Sequence, residues 1–268
     1  MWTGLFLGTI GSLSRESWPL VWLMLEVNLM RFMPLISLKW SRKKKTIIYF
    51  VVQRVGSLMI LRGGVFGGKI SLIGKWTRIG LSLKLGIAPF HYWGLIVVTR
   101  LSKSNTFIFL TWQKVAPLLL LLQVSLKSIL LALLLLNNLL SSMHRVGSKS
   151  VSVLIFFSGL MGIRWQLAAP VNEAIKFFAL YCLIAAPVFF DEDNAKPLLF
   201  LNLAGLPPMT GFFMKISILQ SLTFSLAFTL LFGTVFLLFR YIRSFLYRSK
   251  SDHIGLHLLV CLLGPFTL

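Results

Sequence analysis

Apolar residues run along this chain in long blocks separated by short polar or basic punctuation, and the blocks follow one another almost from end to end. Many approach the roughly 20 residues a helix needs to cross about 30 Å of hydrocarbon. In lipid the backbone must satisfy its own hydrogen bonds, which leaves helices or closed barrels. Ala116 to Leu122 and Ile129 to Leu136 are continuously apolar, without the alternation of a barrel strand, so the pattern predicts an all-α polytopic transmembrane bundle. Segmentation predicts about eleven crossings. They fall at residues 2–13, 17–38, 46–61, 70–100 with an interruption, 105–123, 125–137, 149–164, 168–190, 197–220 with an interruption, 222–243 and 253–268. Short connections make residues 1–268 a single transmembrane domain. Met1 to Leu13 lacks the basic lead-in and cleavage site of a secretory signal, and reads as a short first crossing.

Composition agrees with a lipid solvent: 57% of the 268 residues are hydrophobic and 13% are charged, where soluble domains average about 25% charged residues. The net charge of +20 would suggest nucleic acid in a soluble chain, but here it reads largely as an orientation signal. With the N-terminus on the electrically negative side, that side receives Lys39, Arg42 to Lys45, Arg100, Lys103, Arg145, Lys149, Lys196, Arg243, Arg248 and Lys250. The opposite side receives Arg15, Arg62, Lys69, Lys127 and Arg164. The asymmetry predicts N-terminus inside, an odd number of crossings and C-terminus outside. Cys182 and Cys261 have no ligand-type spacing, which gives neither a metal site nor a disulfide framework.

Against this apolar background four ionisable residues need a reason, because a charge at the bilayer centre costs at least about 2.5 to 3.5 kcal/mol. Glu26 and Lys114 sit near the middle of their crossings, and Lys84 and Lys215 inside the two interrupted ones. Inert ion pairs or snorkelling side chains are the plain alternative. The interruptions favour a functional role. Gly86 and Pro89 lie in one apolar run and Gly205, Pro207, Pro208 and Gly211 in another, so both helices should break there. Carbonyls freed at membrane depth are tolerated only inside protein or facing water, and broken helices beside charges are the expected build of an ion pathway. A lysine suits such a pathway because burial weakens its preference for the charged form, whereas a carboxylate beside it restores that preference. Glu26 is expected to face the bundle interior within reach of a lysine, giving a pair whose separation releases a proton.

The segments Trp22–Asn28, Lys84–Trp93, Thr111–Pro117 and Gly205–Lys215 closely resemble, in the same order, the NADH dehydrogenase subunit 2 family, membrane subunits of respiratory complex I related to cation/proton antiporters. The resemblance implies that Glu26, Lys84, Lys114 and Lys215 match the family's proton-pathway residues. It also implies an antiporter-like fold of eleven helices and a multi-pass place in the mitochondrial inner membrane, N-terminus to the matrix and C-terminus to the intermembrane space. Partners would be other complex I membrane subunits and the lipid bilayer, with no nucleic acid. The chain has no cysteine cluster and no dinucleotide fingerprint, so no cofactor is expected in it: NADH, FMN, iron–sulfur clusters and ubiquinone are expected in partner subunits, and this chain would belong to the enzyme without a redox active site. The segment from Asn137 to Gly162 departs from the family in lacking a His in its Ser-rich helix. The rival reading is a stand-alone or Mrp-type cation/proton antiporter subunit, which shares broken helices.

Several other features carry less. Gly63 to Lys69 has phosphate-loop spacing, but Ile70 stands where Ser or Thr is required and no strand precedes it, which predicts a Gly-rich turn. His91, beside Tyr92 and Trp93, reads as an interfacial or packed residue more than a relay, and His144 as solvated. Glu173 and Lys176 predict a local ion pair. Asp191 to Asp193 read as a solvated loop, and Arg54 either pairs within the bundle or marks a misplaced crossing.

Overall fold

A computed structural model describes residues 2–14, 17–37, 43–66, 70–87, 89–99, 101–124, 151–190, 200, 202–206 and 210–248. The expected crossings at 125–137 and 253–268, together with Pro207, Pro208, His144 and Asp191 to Asp193, lie outside these residues. The described chain is helical: α1 Trp2–Leu13, α2 Trp18–Ser37, α3 Lys43–Phe66, α4 Ile70–Leu85, α5 Tyr92–Val98, α6 Lys103–Leu110, α7 Trp112–Gln123, α8 Val151–Ala168, α9 Val171–Phe190, α10 Thr210–Gln220 and α11 Phe224–Arg248. Among the described residues three spans are long and apolar enough to cross a membrane, Trp18–Ile36, Thr46–Gly64 and Lys103–Gln123, and shorter apolar helices cover Thr3–Leu13, Ser152–Ala168 and Phe224–Val235. Large apolar side chains including Leu7, Leu183, Phe213 and Phe228 point outward, which suits a hydrocarbon solvent and would be costly in water.

Small residues bring the helices together, as expected where lipid removes the hydrophobic drive between them. Gly4, Gly8 and Gly11 form one stripe of α1 against Arg31, Asn28 and Met24 of α2, in descending order, so the two helices run antiparallel. The antiparallel α3–α4 pair is closer still: a Cβ on Gly80 would lie 2.6 Å from the Gly56 carbonyl oxygen. Gly63 belongs to α3, as does Gly64, whose missing Cβ admits Trp18; the expected turn is therefore helix as far as Phe66. In the interior Phe32, Tyr49, Trp93 and Phe109, from α2, α3, α5 and α6, meet with ring centroids 5.7 to 6.3 Å apart. A second cluster joins Trp165, Ala174, Phe177, Ile218 and Leu230 across α8 to α11.

The breaks follow the sequence with one addition. The helix α4 ends in a Schellman motif, with Gly86 at φ +68°, its N–H donating to Leu83 O and the Ile87 N–H to Ser82 O. The chain turns through residues 89 and 90 and re-enters helix at Tyr92, so Pro89 lies in a broken crossing. Crossing 17–38 is continuous from Trp18 to Ser37. At the second expected break, residues 202–204 form a helical turn that stops at Gly205, φ +74°, and helix resumes at Thr210. The addition is Thr111, at φ −108° and ψ −76°, which divides the predicted crossing 105–123 into α6 and α7. Thr111 donates both its N–H and its hydroxyl to Phe107 O, and Pro117 cannot serve the Gln113 carbonyl, so the first turn of α7 lacks part of its ladder.

Candidate functional site

Glu26 is buried, as expected of a mid-membrane carboxylate, but its direct partner is an arginine. Arg54 Nη1 of α3 lies 3.0 Å from Glu26 Oε2. The contact is one of charge, since neither carboxylate oxygen accepts a well-aligned hydrogen bond among the described residues. Lys84 is also buried and lies close enough for Glu26 and Arg54 to act on it with opposite signs. Its stem rests against Gly56, where a Cβ would sit 3.1 Å from Lys84 Cγ, and its carbonyl accepts from Gln53 Nε2 at 3.3 Å. The expected carboxylate–lysine pair is thus a triad in which arginine is the contact partner and lysine the neighbour. Its outer side opens into a cleft of about 590 Å³ lined by Trp22, Met30 and Arg31 as well as Glu26 and Arg54.

From this first centre a polar link leads to the second. Asn28, two residues after Glu26, accepts a hydrogen bond at 3.1 Å from Gln113 Nε2, the residue before Lys114. Lys114 is buried at the start of α7, directly after the Thr111 discontinuity. Its Nζ lies 5.9 Å from the centre of the Phe156 ring and has no hydrogen-bond acceptor among the described residues. A Cβ on Gly159 would lie 2.9 Å from that nitrogen and 2.8 Å from the Tyr181 hydroxyl, so α8 offers a notch into which polar groups of α7 and α9 both point.

Six residues farther along α8, about 9 Å on, Trp165 takes part in the third centre. Lys215 is buried, its Nζ 5.8 Å from the centre of the Trp165 ring and donating to the Ala204 carbonyl at the end of the interrupted turn. A Cβ on Gly205 would lie 2.7 Å from that nitrogen. Across the same break Asn202 Oδ1 accepts from the Gly211 N–H at 2.9 Å and from the Thr210 hydroxyl at 3.1 Å, capping α10. The neighbouring Arg164, which ends an expected crossing, is 1% exposed and lies within α8 one turn before its end, and its guanidinium has no hydrogen-bond partner among the described residues while it acts as a like charge on Lys215.

Thus all four ionisable residues singled out from the sequence are buried, distributed over three centres that α7 and α8 connect. Arg54 joins them; its signal was a cation in the middle of an apolar run opposite a carboxylate that needed one. Tyr181, Gly159 and Asn202 were invisible as site residues because uncharged groups in helices carry no mark of what they face. His91 is buried at the start of α5. Glu173 and Lys176 form the expected local pair at 2.9 Å, and among the described residues no group of His, Cys, Asp and Glu has metal-binding geometry.

No protein-family model matches the chain. Among curated proteins it is 30% identical over 258 residues to NADH-ubiquinone oxidoreductase chain 2 of Anopheles gambiae, covering 82% of this chain and 75% of the relative. It is 27% identical over 265 residues to the protein of that name from Hylobates lar, covering 83% and 76%. Among solved structures it matches a chain of respiratory complex I from Thermus thermophilus with bound aureothin, with a TM-score of 0.78 at 19% identity, over 89% of this chain and 67% of that one, a likeness of fold. The extent and identity of the first match, on a chain whose described residues form a helical bundle, show that this chain belongs to the NADH-ubiquinone oxidoreductase chain 2 family.

Proposed function

We propose that this chain is a proton-translocating membrane subunit of respiratory complex I, coupling electron transfer in partner subunits to proton movement across the mitochondrial inner membrane. Family membership supports the assignment to the complex, and the observation that supports a proton role is the buried Lys114, held beside a helix discontinuity without a hydrogen-bond acceptor among the described residues. A buried ammonium left unpaired is expensive, whereas a lysine that exchanges its proton with water or a neighbour turns that cost into a driving force. Lys84 and Lys215 share the setting, each buried beside a break, and Glu26 with Arg54 supplies a pair whose opening or closing changes the field at Lys84.

In this reading residues 1–268 act as one transmembrane unit, N-terminus to the matrix and C-terminus to the intermembrane space, among other complex I membrane subunits and lipid. NADH, FMN, iron–sulfur clusters and ubiquinone belong to partner subunits, and this chain contributes no redox centre. The test is isolation from native membranes. Recovery with a flavin-containing NADH oxidoreductase supports the reading; recovery alone, with cation-dependent proton exchange, would favour the stand-alone or Mrp-type antiporter instead.

A further inference from the structure

Lys114 carries the proposed function, yet its ammonium makes no hydrogen bond to the described residues in its present placement, and the groups that share its surroundings are informative. Gly159 of α8 is the floor of a notch: a Cβ there would fall 2.9 Å from Lys114 Nζ and 2.8 Å from Tyr181 Oη, so both polar atoms occupy space that any other residue would fill. The phenol faces a carbonyl from behind. It donates to the Ile155 carbonyl at 3.4 Å, and the Ser158 hydroxyl donates to the same carbonyl at 2.9 Å. A phenol that spends its proton on a carbonyl keeps oxygen lone pairs for a donor, and the donor facing it is an ammonium with three N–H groups. Phe156 bounds the other side and offers only its ring face. Cys182, also on α9, is a further titratable group in the neighbourhood of Lys114.

We propose that Tyr181 is a positioning residue for Lys114, accepting a hydrogen bond from its protonated form in the notch left open by Gly159. The inference rests on the proton-translocating role of Lys114. Protonated, the lysine makes a charge-assisted bond at the notch between α8 and α9; neutral, its two remaining N–H groups hold there more weakly.

The experiment uses the assembled enzyme in membrane vesicles, with proton pumping and NADH oxidation measured across pH. Tyr181→Phe keeps the ring and removes only the acceptor, and a hydrogen bond to a charged group is strong enough that its loss should lower pumping by about tenfold or more and displace the pH profile. Added to Lys114→Met, it should cause no further loss, since the two changes remove one interaction. Should Tyr181→Phe fail to assemble, Gly159→Ala tests the same contact by pushing both the lysine tip and the phenol oxygen out of the notch. An undisplaced profile in the assembled Tyr181→Phe or Gly159→Ala enzyme, beside an impaired Lys114→Met, overturns this inference alone; normal pumping in Lys114→Met overturns the proposed function and this inference with it.

Discussion

Arg54 reaches across from α3 to place its Nη1 3.0 Å from Glu26 Oε2 on α2, within an apolar bundle whose other helices supply few carboxylates to compete for it. Because Arg54 is partly exposed to the cleft while Glu26 is buried, the carboxylate depends on the pair more than the arginine does.

That asymmetry predicts the outcome of neutralising each partner. Arg54→Gln strands a buried charge and should reduce assembled complex more than Glu26→Gln, which leaves a cation able to turn toward the cleft. The double variant should assemble better than Arg54→Gln, with a coupling of about 1 to 3 kcal/mol. Complex yield after gentle detergent extraction reads this, and strictly additive losses would remove the pair from the account.

The close α3–α4 crossing predicts a purely steric lesion. Gly80→Ala puts a methyl 2.6 Å from the Gly56 carbonyl oxygen, so the helices must separate at a cost of about 1 to 3 kcal/mol. The thermal midpoint of the complex should fall. Gly86→Ala should cost about 1 to 2 kcal/mol for a different reason, the left-handed backbone at φ +68°, and should lower the midpoint less than Gly80→Ala.

At Lys215 the contact with the Ala204 carbonyl separates capping from titration. Lys215→Gln retains a donor for that carbonyl but exchanges no proton near neutral pH, and Lys215→Arg retains the charge but does not readily deprotonate. Both should impair pumping in fully assembled enzyme. Near-normal pumping in the Gln variant would leave Lys215 as a cap for the broken helix.

Sequence pattern made the bundle legible because lipid imposes a simple rule: apolar length marks a crossing, and Gly with Pro marks its interruption. Gly86 and Gly205 lie where that rule put them. Thr111 escaped it, since a discontinuity set up by a threonine bonding backward and a proline six residues onward leaves the apolar run intact. The charged residues were legible as costs that demanded compensation, but not the geometry that compensates them. Lysine was expected to meet Glu26, and Arg54 does so because α3 packs on α2 in a register that no local pattern encodes. Arg164 stood at the end of an expected crossing, whereas α8 continues one turn further to Ala168 and buries it within the bundle.

Lys114 is where the account is most exposed. Reconstituted enzyme carrying Lys114→Met, shown to contain its full set of subunits, can be assayed for proton uptake and quinone-linked NADH oxidation in the same vesicles. Checking assembly matters, since removing a buried charged group can itself perturb stability by a few kcal/mol. Both activities should fall together, by about tenfold or more, as expected when a positioned proton carrier is lost; pumping at the unaltered rate in the assembled variant would contradict a proton-carrying role for Lys114.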